Sequence, residues 1–216
     1  MTIRAKLLSA DIDEKSDFRI GHSTRAQTPY LRYASSWKDM AKTAMNDEIE
    51  LVLWKRAQPL VTIRATKAES EFEILLGEQQ DILVGFDELL NASAWPEDLQ
   101  EIVEQDVKNC LNAFEAILPS SHYRLRLQAI SDDACRKLHQ DTTFQRLIIT
   151  YRGDGTVWHD VKHNTDQQAI EMECVLLRGK RAEQPAQILH RSPVFSTREL
   201  PRLIMAIDVI PDLYEK

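Results

Sequence analysis

Residues 135–158 read CRKLHQDTTFQRLIITYRGDGTVW. The stretch sets His139 and Asp141 in an H-x-D pair and follows it with the strand-forming run QRLIITY. It then turns at Gly153-Asp154-Gly155, and a further strand starts at Thr156-Val157-Trp158. In an extended segment, side chains two apart project to the same face. One short stretch can therefore bring an imidazole and a carboxylate to one point. A third ligand from another strand would close one face of an octahedron and leave three positions open, the donor pattern of a non-haem iron centre. His190, in ILHRSP, is the best third ligand, and Pro193 limits how far its short strand pairs.

Outward from this stretch, short strands and turn signals continue in both directions. Upstream, YRLRLQAI (123–130) alternates Tyr123, Leu125, Leu127 and Ala129 against Arg124, Arg126 and Gln128. Downstream come MECVLLR (172–178), the short run 188–190, and RLIMAIDVI (202–210), while the polar residues 159–169 read as a loop. Many short strands separated by turns predict a jelly roll. Before residue 120 the pattern is mostly helical. Ser35-Ser36 caps a short helix with Trp37, Met40, Ala41 and Ala44 on its apolar face. EIELVLWKR (48–56) reads as a strand, with a helix as the alternative. Residues 59–92 read as two helices around Gly77 and Gly85. Pro96 opens a long amphipathic helix with Leu99, Val103, Val107, Cys110, Leu111 and Phe114 at helical spacing, and Pro119 stops it. The expected class is α+β. A helical layer from a mainly helical region 1–120 packs on a cupin-like double-stranded β-helix from 121–216, the two forming one compact unit.

Composition bounds the function. The chain has 216 residues, with Lys+Arg 27 against Asp+Glu 34, a formal net charge of −7. An acidic chain is a poor general binder of nucleic acid. Cys110, Cys135 and Cys174 are too few and too odd in number for a disulfide framework, which suits reduced thiols in a cytoplasmic protein. No apolar stretch reaches the roughly 20 residues that span a bilayer. There is no G-x-S-x-G, no P-loop and no dinucleotide fingerprint.

The order of these parts resembles a known family. HQDTTFQRLIITYRGDGTVW, VLLRGK and LHRSPVFSTRELPRLIMAID are similar to the core of the 2-oxoglutarate- and Fe(II)-dependent oxygenases, the prolyl-hydroxylase-like branch above all. The resemblance implies that His139, Asp141 and His190 hold Fe(II). It also implies that Arg202, or less favourably Arg198, binds the distal carboxylate of 2-oxoglutarate, and that an unknown small molecule or protein side chain is oxidised. Arg146, across the pleat from the metal segment, is expected to support Asp141 or a substrate carboxylate. The whole chain resembles more closely a bacterial family of the domain-of-unknown-function kind, carried by ELVLWKR, YRLRLQAI, ACRKLHQD, RLIITYRGDGTVW and PRLIMAID. Genes of that family sit near metal-homeostasis genes, including CobW-type metal-chaperone GTPases. That resemblance brings a metal theme and no activity.

Taken singly, each residue has a plainer reading. His139 reads as a polar surface residue, Asp141 as a turn cap, His190 as a core histidine, and Arg202 as a charge on an edge strand. Their order sets them apart. Cys135, four residues before His139, opens an alternative: a closed zinc or iron site in a non-catalytic protein of metal homeostasis on the same barrel.

Overall fold

A computed structural model describes residues 28–56, 72–92, 97–119, 122–131, 135–181, 184–194 and 201–210. The charged segment Asp11–Asp17, the first part of the helices expected over 59–92, and Arg198 lie outside the described residues.

The described chain is a mixed α/β structure with three helices and ten strands. In order these are β1 (Leu31–Tyr33), α1 (Trp37–Thr43), β2 (Leu51–Trp54), β3 (Phe72–Gly77), α2 (Gln79–Ala92), α3 (Glu97–Glu115) and β4 (His122–Ile130). Then follow β5 (Gln145–Arg152), β6 (Val157–Asp160), β7 (Thr165–Gln168), β8 (Cys174–Arg178), β9 (Ile188–Arg191) and β10 (Arg202–Ile210). Seven strands form a large sheet in the order β1-β2-β8-β5-β10-β4-β3, and three form a small sheet in the order β7-β6-β9. His139 extends the small sheet by one antiparallel rung with His190.

Period-two alternation in the central strands sorts side chains into two layers. Leu125 and Leu127 of β4, Leu147 and Ile149 of β5, and Met205 and Ile207 of β10 lie in one apolar cluster with Val103, Val107, Leu111 and Phe114 of α3. Ile148 and Ala206, on the opposite face, join Trp158 and Ile188 of the small sheet in a second cluster. A sheet covered on both faces needs apolar residues on both, which is why β5, β8 and β10 read as nearly continuous apolar runs. Each fully buried Leu or Ile here contributes about 1.5–3 kcal/mol relative to exposure. In the helix-side layer, Asp106 of α3 accepts from the Tyr151 hydroxyl at 2.7 Å and from both terminal nitrogens of Arg56. That network ties α3 to β5 and to the chain leaving β2.

Several expectations need correction. Phe72–Gly77 is a strand, and Gly85 lies inside α2 rather than breaking it. Residues 165–168 pair with β6 instead of forming part of a loop. The stretch around His139 and Asp141 is a single bridge followed by irregular chain, so the H-x-D pair does not sit on a strand of its own. Before residue 120 three helices share the described chain with three strands. Of these strands, β1 and β2 build one edge of the large sheet and β3 the other. The expected division at residue 120 therefore crosses one continuous sheet.

Candidate metal centre

The site lies between the large and small sheets. Its first ligand pair is fixed by backbone. The His139 N–H donates to the His190 carbonyl at 3.0 Å, and the His190 N–H donates to the His139 carbonyl at 2.9 Å. The Ser192 N–H donates to the Cys135 carbonyl at 2.8 Å and continues the pairing. The two imidazole centroids are 4.3 Å apart. Asp141 enters from the next turn of chain, where its carbonyl accepts from the Lys180 N–H at 2.7 Å.

One ligand atom from each of His139, Asp141 and His190 lies within 4.8 Å of the others. His190 Nε2 is 2.9 Å from Asp141 Oδ2, and His139 Nε2 is 3.6 Å from Asp141 Oδ1. Two ligand atoms held at right angles, each about 2.1 Å from an ion, are about 3.0 Å apart. The observed spacings therefore suit a divalent ion with little movement. The His139 Nδ1–H donates to the Lys137 carbonyl at 2.9 Å, which leaves the lone pair on Nε2, the nitrogen that faces Asp141.

Burial and neighbouring charge set the protonation of His190 and Asp141. Burial pushes His190 below its ordinary value and outweighs the pull of Asp141, so its ring is neutral near pH 7. Burial pushes Asp141 upward, but the hydrogen bond from His190 and the guanidinium of Arg146 overcome it, and the carboxyl titrates below its ordinary value. Arg146 donates through Nη1 to Asp141 Oδ1, and through Nη2 to Asp208 at 3.1 Å with Nε on the other oxygen. Arg146 thus bridges the carboxylates of Asp141 and Asp208.

A cavity of about 280 Å³ opens beside the centre, lined in part by His139, His190, Arg146, Thr156 and Arg202. Arg202 is buried, and its Nε has no partner among the described residues. Burial lowers its guanidinium to about 10, against the pull of Asp154, so it stays charged at neutral pH. Gly153 fits closely against it. That residue has φ +97°, and a Cβ there would stand 2.7 Å from Arg202 Cγ. β10 is paired on both sides, so Arg202 is not an edge-strand charge. Cys135 is exposed at the mouth, with Sγ 3.7 Å and 3.9 Å from the two His139 ring nitrogens.

Residues 35–208 match the model of DUF1826, described as a protein of unknown function. The chain belongs to the DUF1826 family. No curated protein matches it in sequence.

Among solved structures, this DUF1826 chain is similar to a rice dioxygenase for auxin oxidation, at 10% identity and TM-score 0.46 over 82% of this chain and 79% of that one. It is similar to the 2-oxoglutarate complex of dioxygenase for auxin oxidation 1 from Arabidopsis thaliana at 13% identity and TM-score 0.41. That match covers 66% of this chain and 64% of the other, just under two thirds of its length. It is also similar to a full-length Neurospora crassa protein in complex with alpha-KG and 5-formyluracil, at 13% identity and TM-score 0.42 over 82% and 79% of the two chains. No residue assignment rests on these likenesses.

Two groups at the DUF1826 site escape a reading of the sequence. Asp208 is fully buried and grips both Arg124 and Arg146. Arg126 lines the cavity. The signal is present as a lone carboxylate inside the apolar run IMAIDVI and the alternating arginines of YRLRLQAI. Only the pairing of β4 with β10, which sets Asp208 opposite Arg124, joins them.

Proposed function

We propose that this chain is an Fe(II)-dependent oxygenase with 2-oxoglutarate as co-substrate, built on a double-stranded β-helix. The observation that carries the reading is the convergence of His139, Asp141 and His190 at the edge of a cavity that also holds the partnerless buried nitrogen of Arg202. The three side chains would hold the iron on one face, and Arg202 would take the distal carboxylate of 2-oxoglutarate as a planar fork. When bound, iron and 2-oxoglutarate supply the activation of dioxygen needed to oxidise a substrate C–H bond. The chain's own part is to hold geometry. Arg146 fixes the Asp141 carboxylate, the Lys137 carbonyl fixes the His139 ring, and the two sheets shield the cavity from water.

Anaerobic titration with Fe(II) and then 2-oxoglutarate tests this reading. A visible charge-transfer band that requires both additions, and is lost in Arg202→Met, is expected. Iron uptake with no band on adding 2-oxoglutarate would reject the co-substrate assignment.

One observation favours a second reading. Cys135 Sγ lies close enough to His139 to become a fourth ligand and close the site around zinc or iron, giving a non-catalytic metal-binding protein. In that case metal would shield the thiol and 2-oxoglutarate would not perturb the metal.

A further inference from the structure

The cavity floor carries more cations than its own carboxylates can take. Asp208 accepts from Arg124 Nε at 2.7 Å and Arg146 Nη2 at 3.1 Å, and from one further nitrogen of each guanidinium. Three of those bonds fall on Oδ2, the oxygen nearest Arg126, and leave it no lone pair to offer. Arg126 stands on the same face of β4, with Nη2 3.6 Å from Asp208 Oδ2, beyond hydrogen-bond reach. Its Nε is buried and has no partner among the described residues. Burial and the charges of Arg146 and Arg124 act against this guanidinium, while Asp208 and Asp141 are near enough to favour it. A half-buried cation beside two others, with its Nε cut off from water, is costly unless an anion joins it.

Position separates this group from Arg202. Arg202 lies opposite Ile130, whereas Arg126 lies opposite Ala206, four residues further along β10. Roughly 13 Å of strand separates the two rungs. Both side chains line the same cavity, with Gln128 between their rungs. At about 280 Å³ the cavity is at the small end for ligand sites, and a bound co-substrate would leave space for a small molecule only.

We propose that Arg126, with Gln128 beside it, is a second anion anchor independent of Arg202, and that the molecule oxidised at this centre is a small carboxylic acid. The oxidation rests on the oxygenase reading; the anion site does not.

The test uses the full metal-free chain and two probes of like shape, benzoate and benzamide, followed by calorimetry. Benzoate binds about tenfold or more tighter than benzamide in the wild type, as expected for charge-assisted bonds to a carboxylate. Arg126→Gln removes that preference, Arg126→Lys keeps part of it, and Arg202→Gln keeps it. In parallel, 2-oxoglutarate is titrated into the zinc-loaded proteins, and its binding depends on Arg202. A benzoate preference that survives in Arg126→Gln, or disappears in Arg202→Gln, overturns the proposal. So does equal binding of both probes to the wild type. If 2-oxoglutarate binds none of the proteins while benzoate still follows Arg126, the oxygenase reading falls and the anion site stands. Circular dichroism checks the fold of each variant, and the part of the preference kept by Arg126→Lys shows that its loss in Arg126→Gln reflects charge and not misfolding.

Discussion

His139 and His190 are partners twice over: each donates its backbone N–H to the other's carbonyl, and their rings stand side by side over the cavity. The rung fixes the two candidate ligands before any metal arrives. The amides of residues 139 and 190 should therefore exchange with solvent at matching, slow rates, and metal should slow both together. Hydrogen exchange followed by mass spectrometry or NMR measures this directly. Rapid exchange of one amide beside a protected partner would show that the rung is not formed.

Arg146 spends one nitrogen on Asp141 and two on Asp208. Removing it leaves all three candidate ligands in place but frees the carboxylate among them. Arg146→Met should weaken metal affinity by about 10–100-fold, the usual cost of losing a group that orients a ligand. Asp208→Asn should act on folding instead. It leaves the guanidiniums of Arg124 and Arg146 without the carboxylate they share, at a cost of about 3–5 kcal/mol. Urea unfolding and metal titration of both variants separate the two effects.

Gly153 has φ +97°, and a Cβ there would press on Arg202 Cγ. Gly153→Ala should therefore raise the apparent Kd for 2-oxoglutarate by about tenfold, corresponding to about 1.4 kcal/mol, while leaving metal affinity unchanged. Side-by-side titrations with Fe(II) and 2-oxoglutarate check the split. Equal losses in both would place the damage in the fold rather than at Arg202.

The three thiols should divide cleanly. Cys110 and Cys174 are buried, with burial pushing the first well up and the second to about 12, whereas Cys135 is exposed. A thiol reagent applied to the native protein should label Cys135 alone. Denaturant should release the other two. Fe(II) should leave the labelling of Cys135 unchanged if the site keeps open positions, and full protection by metal would favour the closed reading.

Legibility follows burial. The strands around Leu125, Leu147 and Met205 show their period because each face meets a packed layer, and the long helix shows its stripe because one face alone is covered. Ser36 is readable as a cap, and its side chain accepts from the Asp39 N–H at 3.1 Å. β7, with sequence TDQQ, has no apolar residue and lies at the outer edge of the small sheet, so nothing in its composition marks it as a strand. FEILLG reads as helix when Gly77 and Gly85 are given equal weight as breaks, yet only Gly77 ends an element. At the site, spacing and resemblance point to three candidate ligands that the fold brings within 4.8 Å of one another. The shared carboxylate of Asp208, and an Arg126 Nε with no partner among the described residues, depend on which strands become neighbours, and local pattern does not carry that. No helix among the described residues is long and apolar enough to cross a membrane.

Equilibrium dialysis against Fe(II) under argon, with metal counted per chain, tests the centre most directly. The wild type should hold about one ion per chain, as a single two-histidine, one-carboxylate face allows. At the same free metal, His139→Ala, Asp141→Ala and His190→Ala should each be nearly empty, and Cys135→Ser should remain loaded. Full loading of the His190→Ala protein, or loss of metal in Cys135→Ser alone, would contradict the assignment.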